Sequence, residues 1–326
     1  MAARLSPTPD RPSGIVDLRR LTARELDPLL EEEVAAWRQE LDWDFGKSAE
    51  LVRRFVDLRA LNGAAWLEEG EVAGYCYYVL EENKGLIGDI YVRRPADAGA
   101  TERENALLEC ALEGIMANPV IERIESQLMM LRPDPRRAIP AADYLSAYER
   151  NFMRVDMARV DLAAGRVRRL SFIEKWSDHY HEAAAQLIAE AYAGHVDGLI
   201  NDQYRTAAGA RRFLHNIVQY PGCGSFYRPA SYAAFEAGNA KLCGISLASL
   251  VAPESGHITQ ICVSPSVRGT GIGHELLRQS LTMLRNLGCR SVSLTVTAAN
   301  EGAVRLYERV GFRTIKRFSA YVWEGF

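Results

Sequence analysis

Between Val267 and Gly273 the chain reads V-R-G-T-G-I-G. The run His257-Ile258-Thr259-Gln260-Ile261-Cys262-Val263 precedes it and stops at Ser264-Pro265. After it, Leu276, Leu277, Leu281 and Leu284 recur at steps of three and four, the period of a helix. The spacing therefore predicts a strand, a glycine-rich turn and a helix. Glycines let the backbone turn sharply and aim several N–H groups at one point. The helix N-terminus adds its own unpaired N–H groups and a partial positive charge. Such a turn is a seat for a diphosphate.

Two common diphosphate loops are excluded. A dinucleotide loop, G-x-G-x-x-G, lacks its third glycine, since His274 or Leu276 stands there. A P-loop needs Gly-Lys-Ser/Thr, and no lysine is near. No Ser-His-Asp set is evident. The six histidines are dispersed, and His179-x-His181 alone is weak support for a metal site, so none is expected. The six cysteines are scattered through apolar patterns without a C-x-x-C, which favours reduced thiols and a cytoplasmic setting.

A hydrophobic fraction of 48% and a charged fraction of 25% describe an ordinary globular chain. No apolar run approaches the ~20 residues that cross a bilayer. The first residues lack the apolar core of a signal peptide, and residues 1–14 read as a flexible leader. Residues 1–165 hold 21 basic and 30 acidic side chains, a net of −9; the remainder holds 18 and 12, a net of +6. A positive second half suits a phosphorylated ligand. Beyond Arg166 to Arg169 it shows no Lys/Arg cluster, so nucleic-acid binding is not expected.

A second motif follows the glycine turn: Asn300-Glu301-Gly302-Ala303-Val304-Arg305-Leu306-Tyr307-Glu308-Arg309-Val310-Gly311-Phe312. With R-x-x-G-x-G at Arg268, Gly271 and Gly273, it resembles the GCN5-related N-acetyltransferases. The resemblance implies acetyl-CoA as co-substrate and transfer of an acetyl group to an amine of a small molecule or peptide. It implies that the amides of Gly269, Thr270, Gly271, Ile272, Gly273 and His274, with Arg268, take the pyrophosphate. The main chain of Ile261, Cys262 and Val263 would pair with the pantetheine arm like an added strand. Asn300 and Ala303 would flank that arm, and Tyr307 would protonate the departing sulfur. A phenol with an ordinary pKa of ~10 remains a donor at neutral pH.

The proton acceptor is harder to name. In the histone-type branch a glutamate holds the strand position of His257. By period two, His257, Thr259, Ile261 and Val263 share one strand face. An imidazole titrating near ~6.5 could take the ammonium proton, so His257 is the candidate base. Glu254 and Tyr321 are weaker candidates, and a water chain is the alternative. The reading from another class is a CoA-binding regulatory module without turnover.

Gly85-Leu86-Ile87-Gly88-Asp89-Ile90-Tyr91-Val92 matches Gly256 to Val263 at its Gly, Ile, Ile and Val. Tyr148-Glu149-Arg150 also matches Tyr307-Glu308-Arg309. Two copies of one unit are expected. The fold class is α/β of α+β type: tandem units, each a mixed, mostly antiparallel twisted sheet flanked by helices. Residues 15–162 form a degenerate unit closed by a strand at Val155 to Leu162, residues 163–169 a linker, and residues 170–326 the catalytic unit. In the first unit Asp97, Glu102 and Glu104 bring negative charge where a diphosphate would lie. Glu31, Glu32 and Glu33 are expected on the solvent side of a helix, and Trp37, Trp43 and Phe45 in a core. Residues Tyr192 to Tyr204 and Cys223 to Tyr227 are expected to line the acceptor pocket. A monomer or a homodimer is expected, with no membrane partner.

Overall fold

The computed structural model describes residues 14–93, 99–163, 167, 171–220, 222–238 and 240–326. The leader, Asp97 and most of the expected linker lie outside the described residues. In chain order the elements are β1 (Gly14–Asp17), α1 (Ala23–Leu41), α2 (Gly46–Asp57), β2 (Asn62–Glu68), β3 (Glu71–Glu81), β4 (Lys84–Val92), α3 (Ala100–Met116), β5 (Arg123–Gln127) and β6 (Leu145–Asp156). There follow β7 (Ser171–Lys175), α4 (His181–Tyr192), α5 (Val196–Ile200), α6 (Ala207–Gln219), β8 (Ser225–Phe226), β9 (Tyr232–Glu236), β10 (Leu242–Ala252) and β11 (Ser255–Val263). The last are α7 (Ile272–Leu287), β12 (Ser291–Thr297), α8 (Glu301–Val310) and β13 (Arg313–Glu324).

The chain packs as two compact units that interleave in sequence, where the sequence reading put a single join at 163–169. The first holds the described residues up to Ala36, then Ala49–Ala147 and Tyr321–Phe326; the second holds Trp37–Ser48 and Tyr148–Ala320. In the first, β1 to β5 lie side by side in chain order. Only β4 and β5 are parallel, and α3 is the crossover between them. Leu107, Leu108, Ala111, Leu112 and Ile115 of α3 pack with Ile87, Ile90, Ile124 and Trp323. Trp323 is fully buried and donates its indole N–H to the Pro140 carbonyl at 3.0 Å.

In the second unit the strand order is β13-β6-β12-β11-β10-β9-β7, with β8 against β10. Its parallel pair is β11–β12, crossed by α7. Leu276, Leu277, Leu281 and Leu284 of α7 are fully buried. The helix lies close to the sheet because glycines face it: a Cβ on Gly244 would stand 2.8 Å from Leu276 Cδ1, and one on Gly256 2.9 Å from Leu284 Cδ1. On the alternate residues of the same strands, Ile245, Leu247 and Cys262 pack with α4 and α6.

The repeat is real in one landmark and not in the other. Strands β4 and β11 each carry a bulge at the fourth residue of the matched segment, Gly88 and Thr259, and each has a parallel neighbour. The Tyr148–Arg150 match is a coincidence of letters, since those residues are strand β6 whereas Tyr307–Arg309 are helix α8. The strand expected at Val155 to Leu162 lies earlier and ends at Asp156. Asp178 begins a short turn capped by Ser177.

The acidic face of α1 also differs from expectation. Glu31 is exposed, but Glu33 is fully buried and accepts the Tyr75 hydroxyl at 2.7 Å, while Glu32 accepts that of Tyr91 at 2.9 Å. Asp89 is buried too and shares a hydrogen bond with Glu33; burial pushes its pKa up to about 6. Such a carboxyl holds more protons folded than unfolded between pH ~4 and ~6. Its contribution to stability is present below that window and lost as pH rises through it. Asp89→Asn keeps a donor for Glu33 without the charge. Thermal unfolding from pH 4 to 8 is expected to show the variant gaining on the parent as pH rises, by on the order of 1–3 kcal/mol at neutral pH. A difference independent of pH would contradict the shared proton.

Candidate functional site

The site begins at the Thr259 bulge. Up to that point β11 pairs in parallel with β12, from Ser255↔Ser291 to Ile258↔Leu294. Beyond it β12 continues against β6 alone, through Thr295, Val296 and Thr297. Over Gln260–Val263, β11 therefore keeps a strand neighbour on its β10 side only. A wedge opens between the two parallel strands, with the main chain of Ile261, Cys262 and Val263 along one wall.

At the end of β11 the chain enters the glycine turn. Gly269 has φ +73 and Gly271 φ +94, the left-handed region that glycine adopts without strain. Thr270 holds the turn by donating its hydroxyl to the Val267 carbonyl at 2.6 Å. Gly271 caps α7, so the helix's first free N–H groups begin at Ile272. The Ile272 side chain is buried with Val267 and Leu276 and anchors the turn from below. Across the wedge, Asn300 caps α8 by accepting the Ala303 N–H at 3.3 Å.

These parts enclose one cavity of about 510 Å³. Ile261, Cys262, Val263, Arg268, Gly269, Gly271, Gly273, His274, Asn300, Ala303 and Tyr307 all line it. Thr270 and Ile272, also expected there, do not line it: the first braces the turn and the second anchors it. The Arg268 guanidinium differs from expectation: it is bound to the Ala191 carbonyl at the end of α4, so it braces the turn from the side. Tyr307 is buried, and desolvation first, then the charge of Asp197, raises its phenol far above the usual value. It therefore holds its proton at any ordinary pH.

His257 is not part of this cavity, which corrects the sequence expectation. The bulge inserts one residue and reverses the side-chain alternation. His257 thus shares a face with Gln260 and Cys262, not with Ile261 and Val263. Its ring is buried, 4.9 Å from Trp43, and its Nδ1 meets Ser293 Oγ at 2.9 Å. Burial pulls its pKa down to about 3. Trp37, Trp43 and Phe45 are buried as expected. Glu254 pairs with Arg290 at 3.4 Å and lines a different cavity, and Tyr321 belongs to the first unit.

Sequence reasoning missed a polar cluster beside Tyr307. Asp197 Oδ1 accepts from Arg150 Nη1 at 3.1 Å and from the buried Thr297 hydroxyl. Its Oδ2 is 3.5 Å from Nδ1 of His195, which lines the cavity with Tyr192. Gln260 donates to the Tyr192 hydroxyl at 3.2 Å. Arg150, Asp197 and Thr297 come from separate parts of the chain, so no local pattern marks them. Tyr192 and His195 do fall in the expected acceptor stretch.

In the first unit the equivalent place is filled from within. Arg132 donates to the carbonyls of Val92 and Arg93, at 2.9 and 2.7 Å, where β4 ends. Glu104, buried in α3, pairs with Arg137 and lies 3.6 Å from Arg132. Its carboxylate occupies, with two guanidinium partners, the end of the helix where a diphosphate would need positive charge.

The second unit thus combines a bulged strand that parts from its parallel neighbour, a glycine turn at a helix start and a tyrosine across the wedge. Residues 199–312 match the sequence model of the acetyltransferase (GNAT) family. The chain is similar to the GCN5-related N-acetyltransferase of Sphaerobacter thermophilus, with a TM-score of 0.65, 18% identity and 96% of each chain covered. It is also similar to a tandem GNAT protein from the clavulanic acid biosynthesis pathway, with a TM-score of 0.59, 18% identity, and 95% and 98% covered. The family match lies within the second unit, and over the whole chain the likeness to these two structures is one of fold. The N-alpha-acetyltransferase MAK3 of Arabidopsis thaliana is 36% identical over 70 residues, 22% of this chain and 37% of that protein. A mycothiol acetyltransferase of Thermobispora bispora is 46% identical over 57 residues, 18% of this chain and 19% of that protein. These matches span less than half of either relative.

The depressed His257 pKa has a measurable consequence. Unfolded chains protonate this imidazole below pH ~6.5, whereas the native ring stays neutral to about 3. Its contribution to stability is therefore present above ~6.5 and lost as pH falls toward 3. His257→Gln is expected to lessen the loss of stability between pH 7 and 4 in thermal melts. An unchanged pH slope would contradict the buried neutral ring.

Proposed function

We propose that this chain is an acetyl-CoA-dependent N-acetyltransferase that moves an acetyl group to a primary amine of a small molecule or peptide by direct attack on the thioester. The observation that carries the reading is a single cavity lined at once by the α7 glycine turn and by Tyr307. A binding module would need the first and not the second. The named relatives act on different acceptors, so the acceptor is left as an amine.

The residues fit the co-substrate. Amides from Gly269 through His274 would hold the pyrophosphate, with the α7 dipole favouring its charge. The free edge of β11 at Ile261–Val263 would pair with the pantetheine amides. Asn300 and Ala303 would close the other side. Attack by the neutral amine on the acetyl carbon forms the amide and breaks the C–S bond. Tyr307, kept protonated by burial, gives its proton to the leaving sulfur. The first unit, with Arg132 and Glu104 in the corresponding place, would complete the fold without holding coenzyme. The six free cysteines suit a reducing, cytoplasmic setting, and two units in one chain suit a monomer, with a homodimer the other reading.

A Cβ on Gly273 would stand 3.7 Å from Val263 Cγ1, an ordinary contact, so Gly273→Ala should fold normally while intruding on the diphosphate. Calorimetry is expected to show CoA binding weakened at least about tenfold, some 1.4 kcal/mol. Tyr307→Phe should leave CoA binding within about threefold and lower kcat for thiol release from acetyl-CoA, with an amine panel, by roughly 10²-fold. Unweakened CoA binding in the first variant, or full turnover in the second, would overturn the assignment.

A further inference from the structure

Forming an amide needs a nitrogen lone pair, and at neutral pH most amines carry a proton in its place. The side chains around Tyr307 are not arranged to take that proton away. Among the described residues, no aspartate or glutamate lines the cavity. We infer that the acceptor enters already as the free amine, so that the site selects weakly basic amines of the α-amine kind over lysine side chains and polyamines. This rests on the acetyltransferase reading and narrows its substrate class.

The groups nearest the reacting atoms all keep their protons. Tyr307 is desolvated and holds its phenol proton. Tyr192 also lines the cavity, and desolvation raises its phenol far above the usual value. Its oxygen accepts from Gln260 Nε2 at 3.2 Å, so its own proton is left as a donor. Burial pushes the Cys262 thiol up to about 12. His195 caps α5, its Nδ1 accepting the Asp197 N–H at 3.2 Å. A ring whose Nδ1 accepts carries its proton on Nε2, the nitrogen left for the cavity. His195 therefore faces a ligand as a donor too.

The other charged and titratable groups are placed elsewhere or carry the wrong sign. Asp197 on α5 does not line the cavity, and its Oδ1 is held by Arg150 of β6 at 3.1 Å and by the Thr297 hydroxyl. Its Oδ2 lies 3.5 Å from His195 Nδ1, on the side of the ring away from Nε2. Arg268 and Arg309 are cations on the wall and disfavour a further positive charge beside them. His274 stands in the first turn of α7, at the diphosphate end. An ammonium here meets donors and cations and has no carboxylate to bond, whereas a free amine has a lone pair that can accept from those donors.

Basicity then decides which amines react. At pH 7 an α-amine, with a pKa near ~8, is free in about one molecule in ten; a lysine side chain, near ~10.4, is free in about one in 2,500. The more basic amine attacks faster once free, which recovers part of this roughly 250-fold difference. The step balances. The ammonium loses its proton to bulk solvent before binding. The amine lone pair forms the C–N bond to the acetyl carbon, the C–S bond breaks, and Tyr307 gives its proton to the sulfur. The surplus proton on the new amide nitrogen returns through solvent to the Tyr307 oxygen.

The test uses the full chain and acetyl-CoA, with thiol release followed between about pH 6 and 9.5. The amines are glucosamine, spermidine, a lysine-free octapeptide beginning with glycine, the same peptide beginning with β-alanine, and an N-acetylated octapeptide with one lysine. The β-alanine amine lies one carbon farther from its carbonyl and is the more basic. For the glycine peptide, kcat/KM is expected to rise about tenfold per pH unit and to level near ~8; for the β-alanine peptide the levelling point moves upward with the amine. At pH 7 the glycine peptide or glucosamine should exceed the lysine peptide and spermidine at least about tenfold in kcat/KM. His195→Asn, which keeps a cap for α5, should leave the levelling points in place. If that variant fails to fold, the amine series on the parent chain decides alone. A levelling point fixed at one pH whatever the amine, or displaced in His195→Asn, reveals a base in the protein and overturns the inference alone. So does turnover of the lysine peptide or spermidine within threefold of the weakly basic amines at pH 7. No turnover of any amine by the parent chain overturns the acetyltransferase reading and the inference with it.

Discussion

One inserted residue governs the site. In a regular parallel pair every strand edge is occupied, and nothing else can bind along it. The bulge at Thr259 ends the pairing of β11 with β12 after Ile258 and Leu294. From there β12 stays with β6 and β11 stays with β10, so two well-held strands diverge around a wedge. The wedge has to be rigid to be useful. Its rigidity comes from α7, whose leucines are buried against the sheet and whose approach requires Gly244 and Gly256. The same helix starts at the glycine turn, so the packing that holds the wedge open also fixes the direction of the free amides.

The first unit repeats the wedge with a different set of side chains at its helix start. It has the same bulge, at Gly88, and the same parallel neighbour, paired only from Lys84↔Arg123 to Ile87↔Ser126. What it lacks is a vacant helix start. Arg132 takes the carbonyls at the strand end, and Glu104 on α3 is neutralised by Arg137 and Arg132. A guanidinium–carboxylate set is self-sufficient in charge. An anion entering there would have to displace a buried pair, and separating such a pair leaves an uncompensated charge.

Much of the site was legible because its parts are local. The glycine turn, the helix after it, Asn300 and Tyr307 each follow from runs of about a dozen residues, and the cavity contains them together. His257 was misplaced for a physical reason: period two holds only in an uninterrupted ladder, and a bulge leaves no unmistakable mark at Thr259. The Tyr148–Arg150 likeness is one of letters alone, since the side-chain period is two in β6 and near 3.6 in α8. Glu33 was misread because an acidic run on a helix is usually solvated, and only the fold reveals the Tyr75 hydroxyl and Asp89 that receive it. Arg150, Asp197 and Thr297 lie on β6, α5 and β12, so no reading of neighbours along the chain could join them.

Burial acts on the site's titratable groups in opposite chemical senses. Removing water disfavours whichever form is charged. For a phenol that form is the phenolate, so desolvation keeps Tyr307 protonated and suited to give a proton. For an imidazole the charged form is the acid, so the same desolvation keeps His257 from accepting one. A useful base must therefore differ from His257 in two respects: it must reach the cavity, and its cationic form must have a countercharge. The division of labour at this site follows from which charge each residue would have to carry, and from what stands beside it to balance that charge.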